Sequence, residues 1–275
     1  KEYRRQRQMC IRDRLFFTNQ GRVYRAKVHE LPDAGRDARG QHVANLLAFK
    51  PNETIASVIS IGDYTSLPYL AIATRSGTIK KSPLVEYDSP RTGGLIAITL
   101  RDGDEVVAAS AITSEDELLL ISTKGMSLRF TADDEQLRSM GRSATGVIGM
   151  KFRSGDSLLS MTVIHNTDKK ENRFVLTATD GGFGKRTNLD EYRSQGRGGI
   201  GVKAAKIDED SRGSLVGASV VSERDEILAI TSSGVVIRTP VKEIRETGRD
   251  TMGVRLVNLD EGTTVVSLTK VSDDE

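Results

Sequence analysis

Bases recur at fixed places in a repeated unit. Thr18-Asn-Gln-Gly21, Thr74-Arg-Ser-Gly77, Ser122-Thr-Lys-Gly125, Thr179-Asp-Gly-Gly182 and Thr231-Ser-Ser-Gly234 are each followed, four residues past the glycine, by Arg25, Lys81, Arg129, Arg186 and Arg238. A second arginine stands in a Gly-Arg-x-x-x-Gly segment: Gly35-Arg36…Gly40, Gly141-Arg142…Gly146, Gly196-Arg197…Gly201 and Gly248-Arg249…Gly253, with Pro90-Arg91-Thr-Gly-Gly94 as a shortened copy. It follows the turn glycine by 14 to 17 residues. Guanidinium and ammonium groups repeated in this way suit one chemistry above others. They neutralise the phosphates of a polyanion and release its counterions, which gives salt-dependent, sequence-tolerant binding. The competing reading of the loop arginines is internal: each bonds carbonyls of its own repeat and holds the Gly-rich turn.

The elements that carry these bases follow from the repeat. The turn glycines lie 48 to 57 residues apart, and a period near 50 with strand-like texture means repeated β-units. An apolar strand (Leu15-Phe-Phe17, Leu70-Ala-Ile72, Leu118–Ile121, Phe174-Val-Leu176, Ile227–Ile230) enters each turn. The glycine supplies the positive φ that a short hairpin needs. A second strand alternates with period two, as in Gly234-Val-Val-Ile-Arg238, which places its base toward solvent. Third and fourth strands then flank a polar turn, as in Ile96–Leu100, Asp102-Gly-Asp104 and Val106–Ser110. Four short strands per repeat make a blade, and stacked blades bury faces that one blade alone could not. The expectation is an all-β, propeller-like array of about five four-stranded blades. They fall near residues 15–61, 70–112, 118–164, 174–221 and 227–271, in one domain spanning 15–271.

Composition narrows the class. The net charge of +2 hides 40 basic and 38 acidic residues, so placement matters more than the sum. Cys10 stands alone, which excludes a disulfide framework and a cysteine metal cluster. No apolar run approaches the roughly 18 residues of a membrane helix, and no secretory leader is evident. A cytoplasmic setting is expected. Residues 1–14 stand outside the repeat. The run Arg5-Gln-Arg-Gln-Met-Cys-Ile-Arg-Asp13 resembles translated sequencing adapter, so the segment reads as non-native, with a basic nucleic-acid arm as its alternative. Residues 272–275 form an acidic tail.

Other chemistries fit poorly. Gly196-Arg-Gly198-Gly-Ile-Gly201 matches G-x-G-x-x-G, but a dinucleotide site needs a helix after it, and Val202–Ile207 reads as a strand. Backbone N–H groups at Gly198 and Gly199 could still meet a phosphate. His29, His42 and His165 lack ligand spacing, so no metal is expected. Asp102, Asp104 and Asp208-Glu209-Asp210 fall in turns, where Asp caps its own backbone. No Ser/His/Asp or paired-carboxylate arrangement stands out, and no catalytic residue is expected.

The runs Leu15-Phe-Phe-Thr-Asn-Gln-Gly-Arg-Val-Tyr-Arg25, Ala38-Arg-Gly-Gln-His-Val-Ala-Asn-Leu-Leu47 and Gln195-Gly-Arg-Gly-Gly199 resemble the C-terminal domain of the A protein of bacterial DNA gyrase, actinobacterial forms above all. The likeness covers residues 15 to about 271. It implies a β-pinwheel, whose blades exchange a strand with a neighbour and whose basic rim bends and wraps DNA. The family's Gln-Arg-Arg-Gly-Gly-Lys-Gly box has a degenerate copy at Gln195–Gly201, with Gly196 and Ile200 at two basic positions; the primary box would lie upstream of Leu15. The resemblance implies a non-catalytic DNA-wrapping domain of an ATP-dependent type II topoisomerase that introduces negative supercoils. Its partners would be duplex DNA, the rest of the gyrase A protein and the gyrase B protein in an A2B2 assembly, with ATP and magnesium used at other domains. The cleavage tyrosine belongs to another region, so no tyrosine here inherits that role. Candidate DNA contacts are Arg25, Arg36, Lys81, Arg91, Arg129, Arg142, Lys185, Arg186, Gln195, Arg197, Gly198, Gly199, Arg238 and Arg249. The alternatives are a propeller used as a protein-interaction platform and the equivalent domain of the topoisomerase IV A protein.

Overall fold

The computed structural model describes residues 13–33, 35, 38–62, 64, 66–89, 93–166 and 172–271. Repeat one supplies β1 (Asp13–Thr18), β2 (Arg22–Lys27) and β3 (Ile55–Ile61). Repeat two supplies β4 (Tyr69–Thr74), β5 (Thr78–Pro83), β6 (Leu95–Ile96) and β7 (Val106–Ile112). Repeat three supplies β8 (Glu117–Ser122), β9 (Met126–Thr131), β10 (Val147–Ile148) and β11 (Leu158–Ile164). Repeat four supplies β12 (Arg173–Thr179), β13 (Phe183–Asn188), β14 (Val202–Lys203) and β15 (Leu215–Ser222). Repeat five supplies β16 (Glu226–Thr231), β17 (Val236–Pro240), β18 (Val254–Arg255) and β19 (Val265–Val271). The one α-helical turn among the described residues is α1 (Glu209–Arg212), and no helix there is long and apolar enough to cross a membrane. β1 starts at Asp13, so Asp13 and Arg14 join the first sheet. The rest of the N-terminal segment and residues 272–275 lie outside the described residues.

The strands form five separate antiparallel sheets, ordered β3-β1-β2-β6, β10-β5-β4-β7, β11-β8-β9-β14, β15-β12-β13-β18 and β17-β16-β19. Each of the first four sheets contains an edge strand lent by the following repeat. β6 pairs with β2, β14 with β9 and β18 with β13. The fifth sheet has three strands among the described residues. The fourth strand of a sheet does not belong to the repeat that owns its hairpin.

The exchange also shortens the third strand. Ile96–Leu100 was expected to be extended, but only Leu95–Ile96 is a strand. Beyond it the N–H groups of Ala97 and Ile98 both turn to the carbonyl of Gly21, at 2.8 and 3.2 Å. Ala204 and Ala205 do the same on Gly125, and Leu256 and Val257 on Gly182. The turn glycine thus seats the exchanged segment as well as closing the hairpin. Gly125 has φ +77°, and a Cβ there would stand 2.6 Å from the carbonyl oxygen of Ala205. Both features exclude a side chain.

The chain divides into two compact units. One contains residues up to Thr113 with Leu137–Val147, and the other Ser114–Gln136 with Ile148 onward. In the first, Leu15 and Phe17 of β1 pack with Leu70 and Ile72 of β4. In the second, Leu119 and Ile121 of β8 pack with Val175 of β12, while Phe174 and Leu176 of the same β12 pack with Ile227 and Val241. Successive residues of β12 therefore feed two different cores, and both faces of its sheet are covered.

Candidate nucleic-acid interface

Burial reassigns the bases that follow the turn glycines. They were expected to face solvent, and most do not. Lys81 is 0% exposed, with its ammonium 4.8 Å from the centre of the Tyr69 ring. Arg129 donates to Glu117 Oε2 at 2.6 Å and to the carbonyls of Leu189 and Tyr192 at 3.3 and 3.0 Å. Arg186 donates to Glu223 at 2.6 Å and the carbonyl of Ile244 at 2.7 Å, and stacks 4.5 Å over Phe174. Arg25, half-buried, pairs with Asp13 at 3.3 Å and Asp88 at 2.5 Å. Only Arg238 keeps an exposed side chain, in contact with Glu226. The reason is geometric. Arg186 lies opposite Leu176 in the ladder, on the face that packs against the next sheet. Arg25, Arg129 and Arg186 each reach a residue of the following repeat, so they act as ties between blades.

The loop arginines form a second set of ties. Arg142 donates to the carbonyl of Ile96, Arg197 to that of Ile148 at 3.0 Å and Arg249 to that of Lys203 at 3.0 Å. Each target is the second residue of an exchanged strand belonging to the preceding repeat. The arginine's own N–H is held by a side-chain oxygen: Glu86 at 2.7 Å, Gln136 at 3.1 Å and Glu191 at 3.1 Å. The internal reading thus holds in chemistry, with the carbonyl supplied by the previous repeat. Arg36 and Arg91 lie outside the described residues.

Lys185 is 1% exposed and donates to the carbonyls of Gly248, at 2.7 Å, and Arg249. Its counterpart Lys80, missed in the sequence, donates to the carbonyls of Ala97 and Arg142. Burial lowers the pKa of Lys80 to about 7 and of Lys185 to about 8. The box-like loop uses its backbone internally. Gln195 N–H donates to the Arg129 carbonyl at 2.7 Å, Gly198 N–H to Gly149 at 2.6 Å, and Lys151 N–H to the Gly199 carbonyl at 2.9 Å. The segment then runs directly into strand β14.

Arg197 and Arg238 are exposed, and so are bases that the sequence reading did not single out. Arg101, Lys151, Arg153, Lys203, Lys206 and Arg255 all lie on exchanged strands or within a few residues beyond them. Lys124, Arg153, Lys203 and Lys206 line a cleft of about 520 Å³, together with Asp156 and Glu209. A usable signal was present in the sequence: Lys203 and Arg255 share the second position of equivalent short strands.

Hairpin sheets of which four borrow an edge strand from the next repeat, with bases on or near the borrowed segments, define a strand-exchanged β-blade protein. The sequence model of the family described as DNA gyrase C-terminal domain, beta-propeller, matches residues 15–61, 68–113, 116–165, 173–222 and 225–272, and the chain belongs to that family. The DNA gyrase A protein of Streptomyces coelicolor is 64% identical over 261 residues, covering 93% of this chain and 30% of that protein. Its counterpart in Mycolicibacterium smegmatis is 54% identical, covering 95% and 30%. The chain spans less than a third of the length of these relatives. Among solved structures, the C-terminal domain of DNA topoisomerase IV matches with a TM-score of 0.84 at 28% identity, over 97% of this chain and 81% of that one. The DNA gyrase A C-terminal domain matches with a TM-score of 0.82 at 28% identity, over 95% and 83%.

Proposed function

We propose that this chain is the duplex-binding and DNA-wrapping module of a gyrase A protein. The observation that carries the reading is the exposed set Arg101, Lys151, Arg153, Lys203, Lys206 and Arg255, which recurs on the exchanged segments of successive repeats. Bases at repeat-equivalent places meet phosphates at intervals along a duplex and need no base-edge contacts. Bending 20–30 base pairs costs about 1–6 kcal/mol, and contacts spread over several blades offset it. In this reading Arg142, Arg197 and Arg249 position the exchanged strands, and Gln195, Gly198 and Gly199 frame the box-like loop beside them. Arg25, Arg129, Lys185 and Arg186 join blades, Lys81 packs on Tyr69 of its own sheet, and Arg238 keeps a charge available to DNA. In the parent enzyme the module would present DNA for strand passage, working with the rest of the gyrase A protein and with the gyrase B protein in a cytoplasmic A2B2 type II topoisomerase. The chemistry, ATP and magnesium would belong to other domains.

Fluorescence anisotropy with duplexes of unrelated sequence tests the reading. Binding should show little sequence preference. Replacing Lys151, Arg153 and Lys206 together by Ala should weaken it for all sequences alike and lower the salt slope by about one unit per lost phosphate contact. Absence of duplex binding at low salt overturns the reading and favours the protein-platform alternative.

A further inference from the structure

Repeat four departs from the others between its exchanged strand and its closing strand. Nine residues make this connection in repeats two, three and five (97–105, 149–157 and 256–264), but eleven do so in repeat four (204–214). The longer connection builds α1, and its start carries three consecutive acids, Asp208, Glu209 and Asp210. The far end is anchored on the hairpin of the fourth sheet. Arg212 donates to the carbonyl of Gly253 at 2.6 Å and stacks 4.7 Å over Phe183, while its own carbonyl accepts from Thr179 Oγ1 at 2.6 Å. The near end leans the other way: the Glu209 carboxylate pairs with the ammonium of Lys124, on the hairpin of the third sheet.

That pairing closes over the cationic cleft. Of its four bases, Lys124 is engaged by Glu209 and Lys203 reaches Asp250 at 3.3 Å. Arg153 and Lys206 form no ion pair among the described residues. Asp156 is already engaged, accepting from Thr123 Oγ1 and from the N–H groups of Lys124 and Ser157, each at 2.9 Å. Of the two carboxylates that line the cleft, Glu209 is the one an incoming anion could displace without breaking a hairpin.

We propose that this cleft is a phosphate-binding subsite for duplex DNA and that the acidic turn 208–210 is its built-in competitor. A backbone phosphate replaces Glu209 at Lys124 and is shared with Arg153 and Lys206, so the turn sets how readily DNA engages the third blade. This rests on the duplex-binding reading above.

The test is duplex binding by anisotropy across a salt series, with Glu209→Gln, Asp210→Asn and the control Glu243→Gln, an exposed acid that does not line the cleft. Both partners of this pair are exposed and screened by water, so its effect on binding is held to a few-fold, about fivefold at most. Glu209→Gln should tighten binding by about that factor, Asp210→Asn by less, and Glu243→Gln by less than twofold. In a background lacking Arg153 and Lys206 (both Ala), the gain from Glu209→Gln should disappear. An equal gain from Glu243→Gln, or an undiminished gain in that background, overturns the competitor while leaving duplex binding intact. Failure of the unmodified chain to bind duplex at all would instead remove the function on which the proposal rests.

Discussion

Raising the pH from about 6.5 to about 8.5 should stabilise the blades around Lys80, and replacing Lys80 by Met should abolish that part of the gain. The Lys80 side chain is fully buried and donates to two carbonyls, those of Ala97 and Arg142. Burial is the largest influence and lowers its pKa from 10.5 to about 7; Glu86 opposes the shift and Arg142 reinforces it. The unfolded chain keeps this proton up to its ordinary pKa. Between the two values the unfolded state holds a proton that the folded state has released, so unfolding free energy rises with pH through that window. For a folded value near 7, the rise over the stated interval is about 2 kcal/mol. Nothing opposes it from the hydrogen bonds, because a neutral amine still has two N–H groups for two carbonyls. Urea unfolding of both proteins at several pH values, followed by circular dichroism, gives the difference directly. Lys185, with its pKa lowered to about 8, acts in the same sense but is present in both proteins. The Lys80 Cε chemical shift supplies an independent reading. Parallel pH profiles for the two proteins, or a Lys80 that titrates near its ordinary value, would refute the argument.

Two further outcomes test the ties and the seats. Arg129→Ala should cost about 3 kcal/mol in chemical denaturation, because Glu117, whose side chain is only 6% exposed, loses its buried partner; a loss under about 1 kcal/mol would mean that water screens the pair. Gly125→Ala should be clearly worse than Gly234→Ala. Both glycines have positive φ, at about 1 kcal/mol for the strain, but a Cβ at Gly125 meets the Ala205 carbonyl whereas one at Gly234 meets nothing within 4 Å. Equal costs would show that the turn glycine does not seat the exchanged strand.

Much of the fold is local and therefore legible in the residues. Each hairpin needs one left-handed residue, so Gly21, Gly77, Gly125, Gly182 and Gly234 mark the turns, with φ between 77 and 82°. The apolar runs before them pack as cores, and the spacing counts five repeats. Period-two alternation also separates the two faces of each second strand correctly. It carries no information on whether a face meets water. Lys81 and Arg186 read as solvent-facing bases by pattern, yet both are buried, Arg186 against residues of the next repeat. The two-residue strands Val202–Lys203 and Val254–Arg255 are too short to carry a periodic signal, and their partners lie one repeat away. Which bases are free and which are ties was settled by that exchange. A borrowed strand turns its second residue outward and seats the next two residues inward, while the arginine of the next loop is drawn in to the second residue's carbonyl. Sequence sets which groups are charged; the stacking of sheets decides which of those charges lose water and must find a partner inside, and which remain at the surface to meet a phosphate.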